Sequence, residues 1–175
     1  MLMLTNTDFL NNNAGVFPAM AAPGNGGAIH ISGAGTAVLS GGTISNNQAA
    51  AEGGGLWNGS GTMTVDGTMV VNNSAAGVAA DNGGGGIYNL NNGTLNIMNA
   101  TITNNAATGT AGSGGGIFND VDATLNIMNS TITNNMANRA GGGIEGRAVG
   151  GNNTIDLSNV DLSSNVVANA PGNGG

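Results

Sequence analysis

Apolar residues in this chain recur in short alternating runs. Between residues 94 and 103, Leu95, Ile97 and Ile102 fall on one side of an extended backbone, and Thr94, Asn96, Thr101 and Thr103 on the other. The i, i+3, i+4 stripe of an amphipathic helix does not occur. Each run yields three short strands: Gly-Ile-aromatic-Asn, Thr-Leu-Asn-Ile-Met, and Thr-Ile-Thr-Asn. Gly, Asn, Ser and Ala separate them, and this turn chemistry tolerates positive φ.

The same run is written repeatedly. Residues 84–105 return as residues 114–135 with six differences in 22 positions, and looser copies fill the rest of the chain. The Asn that closes each copy stands at 12, 47, 73, 105, 135 and 165, so successive spacings are 35, 26, 32, 30 and 30. Fixed strands joined by turns of varying length describe a solenoid with its loops outside. No strand can satisfy its backbone within its own copy, so each must pair with its equivalent in the next, about 4.8 Å along an axis. The expectation is an all-β parallel β-helix of about six coils of 26–35 residues, with three strands per coil, columns of Ile, Leu and Val inside, and a stiff rod of roughly 30 Å. Residues 1–175 read as one such domain.

Stacked coils also stack identical polar side chains. Asn47, Asn73, Asn105, Asn135 and Asn165 are expected to form one amide ladder through the structure, and Asn58, Asn89 and Asn119 a shorter second one.

Composition narrows the classes. The 34 glycines, 6% charged and 3% aromatic residues rule out an ordinary large-residue core, while 39% hydrophobic residues rule out a disordered chain. Two basic residues against nine acidic ones, a net charge of −7, argue against nucleic acid as a partner and against an anionic membrane. No membrane-inserting run of apolar residues is present. With no Cys, neither a disulfide framework nor a thiolate metal site is possible.

Gly26-Gly27-Ala28-Ile29 together with Phe9-Leu10-Asn11-Asn12 resembles the GGAI and FxxN repeats of polymorphic outer-membrane autotransporter passengers and related proteins of the pectin-lyase-like superfamily. That resemblance implies a right-handed parallel β-helix and an extracellular or cell-surface location. Function is wider open, because the superfamily holds adhesins, lyases, hydrolases and structural shafts.

Three features carry candidate chemistry. Aligning the copies places His30, Trp57, Tyr88 and Phe118 in one column, ended by Glu145; since the neighbouring Ile points inward, the column is expected to point out, as an exposed platform for a sugar ring or partner surface. His30 is the sole histidine and has no second ligand type nearby, so no metal or cofactor is expected. The alignment also sets Asp120 beside Arg147, with Asp122 and Glu145 near. This charge cluster reads as an exposed ion pair worth under about 1 kcal/mol, or as a reduced form of the acid–base site of a polysaccharide lyase or hydrolase. Finally, Thr101 with Thr103 and Thr131 with Thr133 form an outward array of the sort seen on ice-binding solenoids, interrupted by Met69 and Val71 and ended by Asp161 and Ser163.

Neither end reads as a cap. Met1-Leu2-Met3-Leu4 is apolar, and Pro23-Gly24-Asn25-Gly26-Gly27 returns as Pro171-Gly172-Asn173-Gly174-Gly175, the opening of a new coil. The expected function is therefore a non-enzymatic structural β-solenoid, a surface shaft, filament or adhesin stalk. It would associate end to end with itself or continue in a longer solenoid, and a glycan or host surface is a further expected partner. The alternatives are a carbohydrate-binding or carbohydrate-degrading β-helix and, third, an ice-binding protein.

Overall fold

Alternation fixes which side of each strand is buried, and the chain winds so that every such side faces one interior. A computed structural model describes residues 1–16, 22–169 and 172–175. Pro171, in the repeated pentapeptide, lies outside them. The described residues form a parallel β-solenoid of about five turns, preceded by a partial first turn, with no helix. The expected six coils are thus five complete ones.

Three sheets run along the axis. In the first, Leu2–Thr5, Thr36–Ser40, Thr62–Asp66, Thr94–Met98 and the start of Thr124–Thr133 pair step by step. Beside them Phe9–Leu10, Thr43–Ser45, Met69–Val71, Thr101–Thr103 and the end of Thr124–Thr133 do the same. Thr154–Ser163 completes this ten-stranded sheet. A five-stranded sheet stacks Ile29–Ile31, Leu56–Asn58, Ile87–Asn89, Ile117–Asn119 and Ile144–Gly146. A six-stranded sheet stacks Asn13–Ala14, Gln48–Ala49, Ser74–Ala75, Ala106–Ala107, Met136–Ala137 and Val166–Val167.

One expectation needs correction here, the three strands per coil. The Thr-Leu-Asn-Ile-Met and Thr-Ile-Thr strands share one sheet, joined through Thr124–Thr133 and Thr154–Ser163, which each run through both positions. A fourth strand of two residues follows the closing Asn pair. It is too short to show alternation and is held by its ladder partners.

Inside, columns rise in register: Leu39, Val65, Ile97 and Ile127; Ile44, Val70, Ile102 and Ile132; Leu56, Ile87 and Ile117, all buried. Each such side chain contributes about 1.5–3 kcal/mol, so the aliphatic columns dominate the stability. Corners are set by the closing Asn pair. Its first member, Asn11, Asn46, Asn72, Asn104 or Asn134, has φ between 55° and 57°, a left-handed conformation Asn tolerates. Its second member then points inward. Where the six-stranded and five-stranded sheets meet, Gly115 leaves no room for a side chain, since a Cβ there would overlap the carbonyl of Gly142 and the backbone of Met136.

Candidate functional site

The expected ladder forms, and it is one step longer than expected. The backbone N and Nδ2 of Asn47 donate to Oδ1 of Asn73 at 3.0 and 2.9 Å. The pattern repeats from Asn73 to Asn105, Asn105 to Asn135 and Asn135 to Asn165, and Asn12 joins above Asn47. From Asn47 to Asn165 each Nδ2 also donates to the carbonyl of an apolar residue one turn back, for example Asn105 to Val70 at 2.9 Å. Asn47, Asn73, Asn105 and Asn135 are fully buried, so these amides replace water for groups that have no access to it.

The second ladder, Asn58 to Asn89 to Asn119, forms at 2.8 and 2.7 Å. It gains a member the alignment did not reveal. The fifth strand of this sheet carries Gly146 in the ladder position, and Asn153, from the following turn, accepts from Asn119 Nδ2 at 3.1 Å instead. Above Asn58 the column holds Ile31, and Asn58 Oδ1 is buried without a partner among the described residues.

The aromatic column also forms in the expected register, ended by Glu145. His30 stacks on Trp57 at 4.1 Å, Trp57 on Tyr88 at 6.4 Å, and Tyr88 on Phe118 at 5.0 Å, with planes within 6°. Its exposure, however, is corrected. Trp57 is 7% exposed, Tyr88 2% and Phe118 0%, leaving only His30 open. The side chains do leave the solenoid interior, but the connections between the six-stranded and five-stranded sheets fold back over them. Tyr88 donates its hydroxyl to the Asp81 carbonyl and to Asp120 Oδ2. Arg139 ties that cover down, donating to Ser113 Oγ, to the Ala80 carbonyl and to Glu145. Loops of uneven length thus build a second, aromatic core beside the aliphatic one.

The charge cluster sits on the same side. Arg147 Nη1 meets Asp120 Oδ1 at 2.9 Å, as expected, but the Asp120 side chain is only 9% exposed, so this is a largely buried carboxylate rather than a surface pair. Glu145 pairs with Arg139 at 3.3 Å, and Asp122 accepts from the Asn152 backbone. Glu52, which the sequence reading passed over, accepts from Trp57 Nε1, Asn82 Nδ2 and Asn25 Nδ2. Burial pushes its carboxyl above the usual range, against the donors from Trp57 and Asn82. Burial likewise raises Glu145, opposed by Arg139, and raises the Tyr88 phenol, with Glu52 and Asp120 adding to it. The Arg147 guanidinium is held above its ordinary value by its hydrogen bond to Asp120. A cleft of about 430 Å³ opens between Asp81, Arg139, Glu145, Arg147 and Val149. Glu52, Asp120 and Glu145 are each engaged by protein donors.

On the outer face of the ten-stranded sheet, the Thr pairs stand in register between Met69/Val71 and Asp161/Ser163. A longer column lies beside them: Thr36, Thr62, Thr94, Thr124 and Thr154. Of this column only Thr62 belongs to a Thr-x-Thr pair, so that pattern does not reveal it. No family model, curated protein or solved structure matches this chain.

Proposed function

We propose that this chain is a segment of a structural shaft, a non-enzymatic right-handed β-solenoid working outside the cell or at its surface. The observation that carries the reading is the Asn ladder running through every turn beside unbroken aliphatic columns, because it couples each turn to the next by buried hydrogen bonds as well as by packing. A load along the axis then acts on many bonds at once. The surface location rests on the likeness of the GGAI and FxxN repeats to autotransporter passengers. The covering of Trp57, Tyr88 and Phe118 favours the shaft over a glycan-binding column.

Force spectroscopy, glycan-array binding and polysaccharide-cleavage screens test this together. The shaft reading expects unfolding only at high force, no saturable glycan binding and no cleavage. Turnover of a polysaccharide, or saturable binding lost in His30→Ala, would overturn it. Antibody labelling of intact cells of the source tests the location.

A second reading is favoured by the five-high Thr column: adhesion of this flat face to an ordered planar surface such as ice. Thermal hysteresis that disappears in Thr94→Lys would support it.

A further inference from the structure

We propose that the covered aromatic column is a one-electron relay, in which an oxidising equivalent entering at Trp57 is passed to Tyr88 and held there as a buried phenoxyl radical. This goes beyond the shaft reading and does not depend on it.

Trp, Tyr and Cys are the side chains that give up an electron together with a proton. The chain has no Cys, one Trp and one Tyr. It stacks those two on adjacent turns, with ring centroids 6.4 Å apart and planes within 6°. Electron exchange between them needs no intervening group. Phe118 lies against the far face of Tyr88 at 5.0 Å and resists one-electron oxidation, so the equivalent stops at Tyr88.

The protons are provided for as well. Trp57 Nε1 donates to Glu52 Oε2 at 3.0 Å, and the Tyr88 hydroxyl donates to Asp120 Oδ2 at 3.3 Å. Trp57 is 7% exposed and Tyr88 2%, so bulk water is not at hand to accept either proton. A base has to stand within hydrogen-bond reach instead. Satisfying the buried hydroxyl does not by itself require Asp120, because Tyr88 also donates to the Asp81 carbonyl at 3.2 Å. A carbonyl can accept that hydrogen bond but cannot keep the proton. The carboxylate can, and its two oxygens divide the work: Oδ2 faces Tyr88 while Oδ1 holds Arg147 at 2.9 Å.

The steps balance. A one-electron oxidant takes an electron from Trp57, the more exposed ring, and the indole proton moves to Glu52. The indolyl radical then takes an electron from Tyr88 and its proton back from Glu52. As Tyr88 is oxidised, its phenolic proton passes to Asp120 Oδ2. The oxidant has gained one electron, Tyr88 is a neutral phenoxyl radical, and Asp120 is a neutral acid. One electron from an external reductant, with return of the Asp120 proton, restores the phenol.

Pulse radiolysis of the 175-residue chain, with azide radical as the oxidant, tests this. Each radical spectrum has a single possible source, since the chain holds one Trp and one Tyr. The indolyl radical is expected first, decaying as the phenoxyl radical rises, at a rate independent of protein concentration. Tyr88→Phe leaves the indolyl radical long-lived. Asp120→Asn keeps a hydrogen-bond acceptor but no base, and slows the transfer by about 100-fold or more. Should Asp120→Asn fail to fold, the wild-type rate in heavy water replaces it, and is slower than in ordinary water. Indolyl decay unchanged in Tyr88→Phe, or a rate proportional to protein concentration, would overturn the relay. A transfer rate unaltered by folded Asp120→Asn, or equal in the two waters, would overturn the role of the carboxylate.

Discussion

Replacing Asn105 by Leu keeps the volume of the side chain and removes its amide. In the structure that amide makes four hydrogen bonds. Its Oδ1 accepts from the backbone N and Nδ2 of Asn73, and its Nδ2 donates to the carbonyl of Val70 and to Oδ1 of Asn135. The partners fare differently afterwards. Asn73 Nδ2 keeps the Ile44 carbonyl, and Asn135 Oδ1 keeps the backbone N of residue 105. The backbone N of Asn73 loses its partner while buried, and the Val70 carbonyl loses its amide donor. A buried polar group left unsatisfied costs about 1–3 kcal/mol. One orphaned donor, one weakened carbonyl and two thinned amides together cost about 3–5 kcal/mol. At 2–4 °C per kcal/mol for a chain of this size, the melting temperature falls by roughly 6–20 °C. Asn12→Leu provides the control, since it is exposed and donates only to Asn47, and its cost is about 1 kcal/mol or less. Chemical and thermal denaturation of both variants measure the difference. Equal shifts for the two, or a loss below about 1 kcal/mol for Asn105→Leu, would refute the claim that the ladder replaces water for buried groups.

Four further outcomes are expected. Ile31→Asn places a donor above the unpartnered Oδ1 of Asn58 and should be more stable than Ile31→Ala by about 1 kcal/mol, and equal melting curves would show that this oxygen is satisfied otherwise. Gly67 turns the chain at φ 59°, where the equivalent Asn99 and Asn129 have 52° and 50°, so Gly67→Asn should change stability by less than about 0.5 kcal/mol; Gly115→Ala forces a methyl into backbone and should prevent soluble expression. Glu52 has a folded pKa raised above its unfolded value, so the folded state holds the extra proton between the two. Its contribution is then fully present below the ordinary carboxylate range and is lost as pH rises through the folded value; denaturation between pH 4 and 7 should show wild type losing stability relative to Glu52→Gln, and the opposite trend would refute the assigned burial.

Legibility in the sequence followed the physics of stacking. Columns are visible because register repeats residues, so Leu95 over Leu125 and Asn105 over Asn135 could be read directly. Likewise the order His30, Trp57, Tyr88, Phe118 was legible. Its burial was not, because the cover comes from segments around Asp81 and Ser113, whose sequences do not repeat and whose paths depend on Arg139 and Glu52. Asn153 shows the same limit. It fills the place of a ladder residue from seven positions after Gly146, and alignment by spacing cannot find a side chain that arrives from elsewhere. Short strands such as Ala106–Ala107 were missed since two residues carry no period.

The register between the two near-identical turns has a genetic consequence. Each strand residue from Ile87 to Ala107 pairs with its counterpart thirty positions later, so residues 84–113 are an interchangeable brick. Duplicating or losing the corresponding stretch of coding sequence in frame brings the strands of the flanking turns into the same pairing that they have now. The molecule can therefore lengthen or shorten by whole steps of about 4.8 Å through recombination between its own repeats, with no new residue having to be selected. Variation among related genes would then appear first as copy number, and only later as substitution.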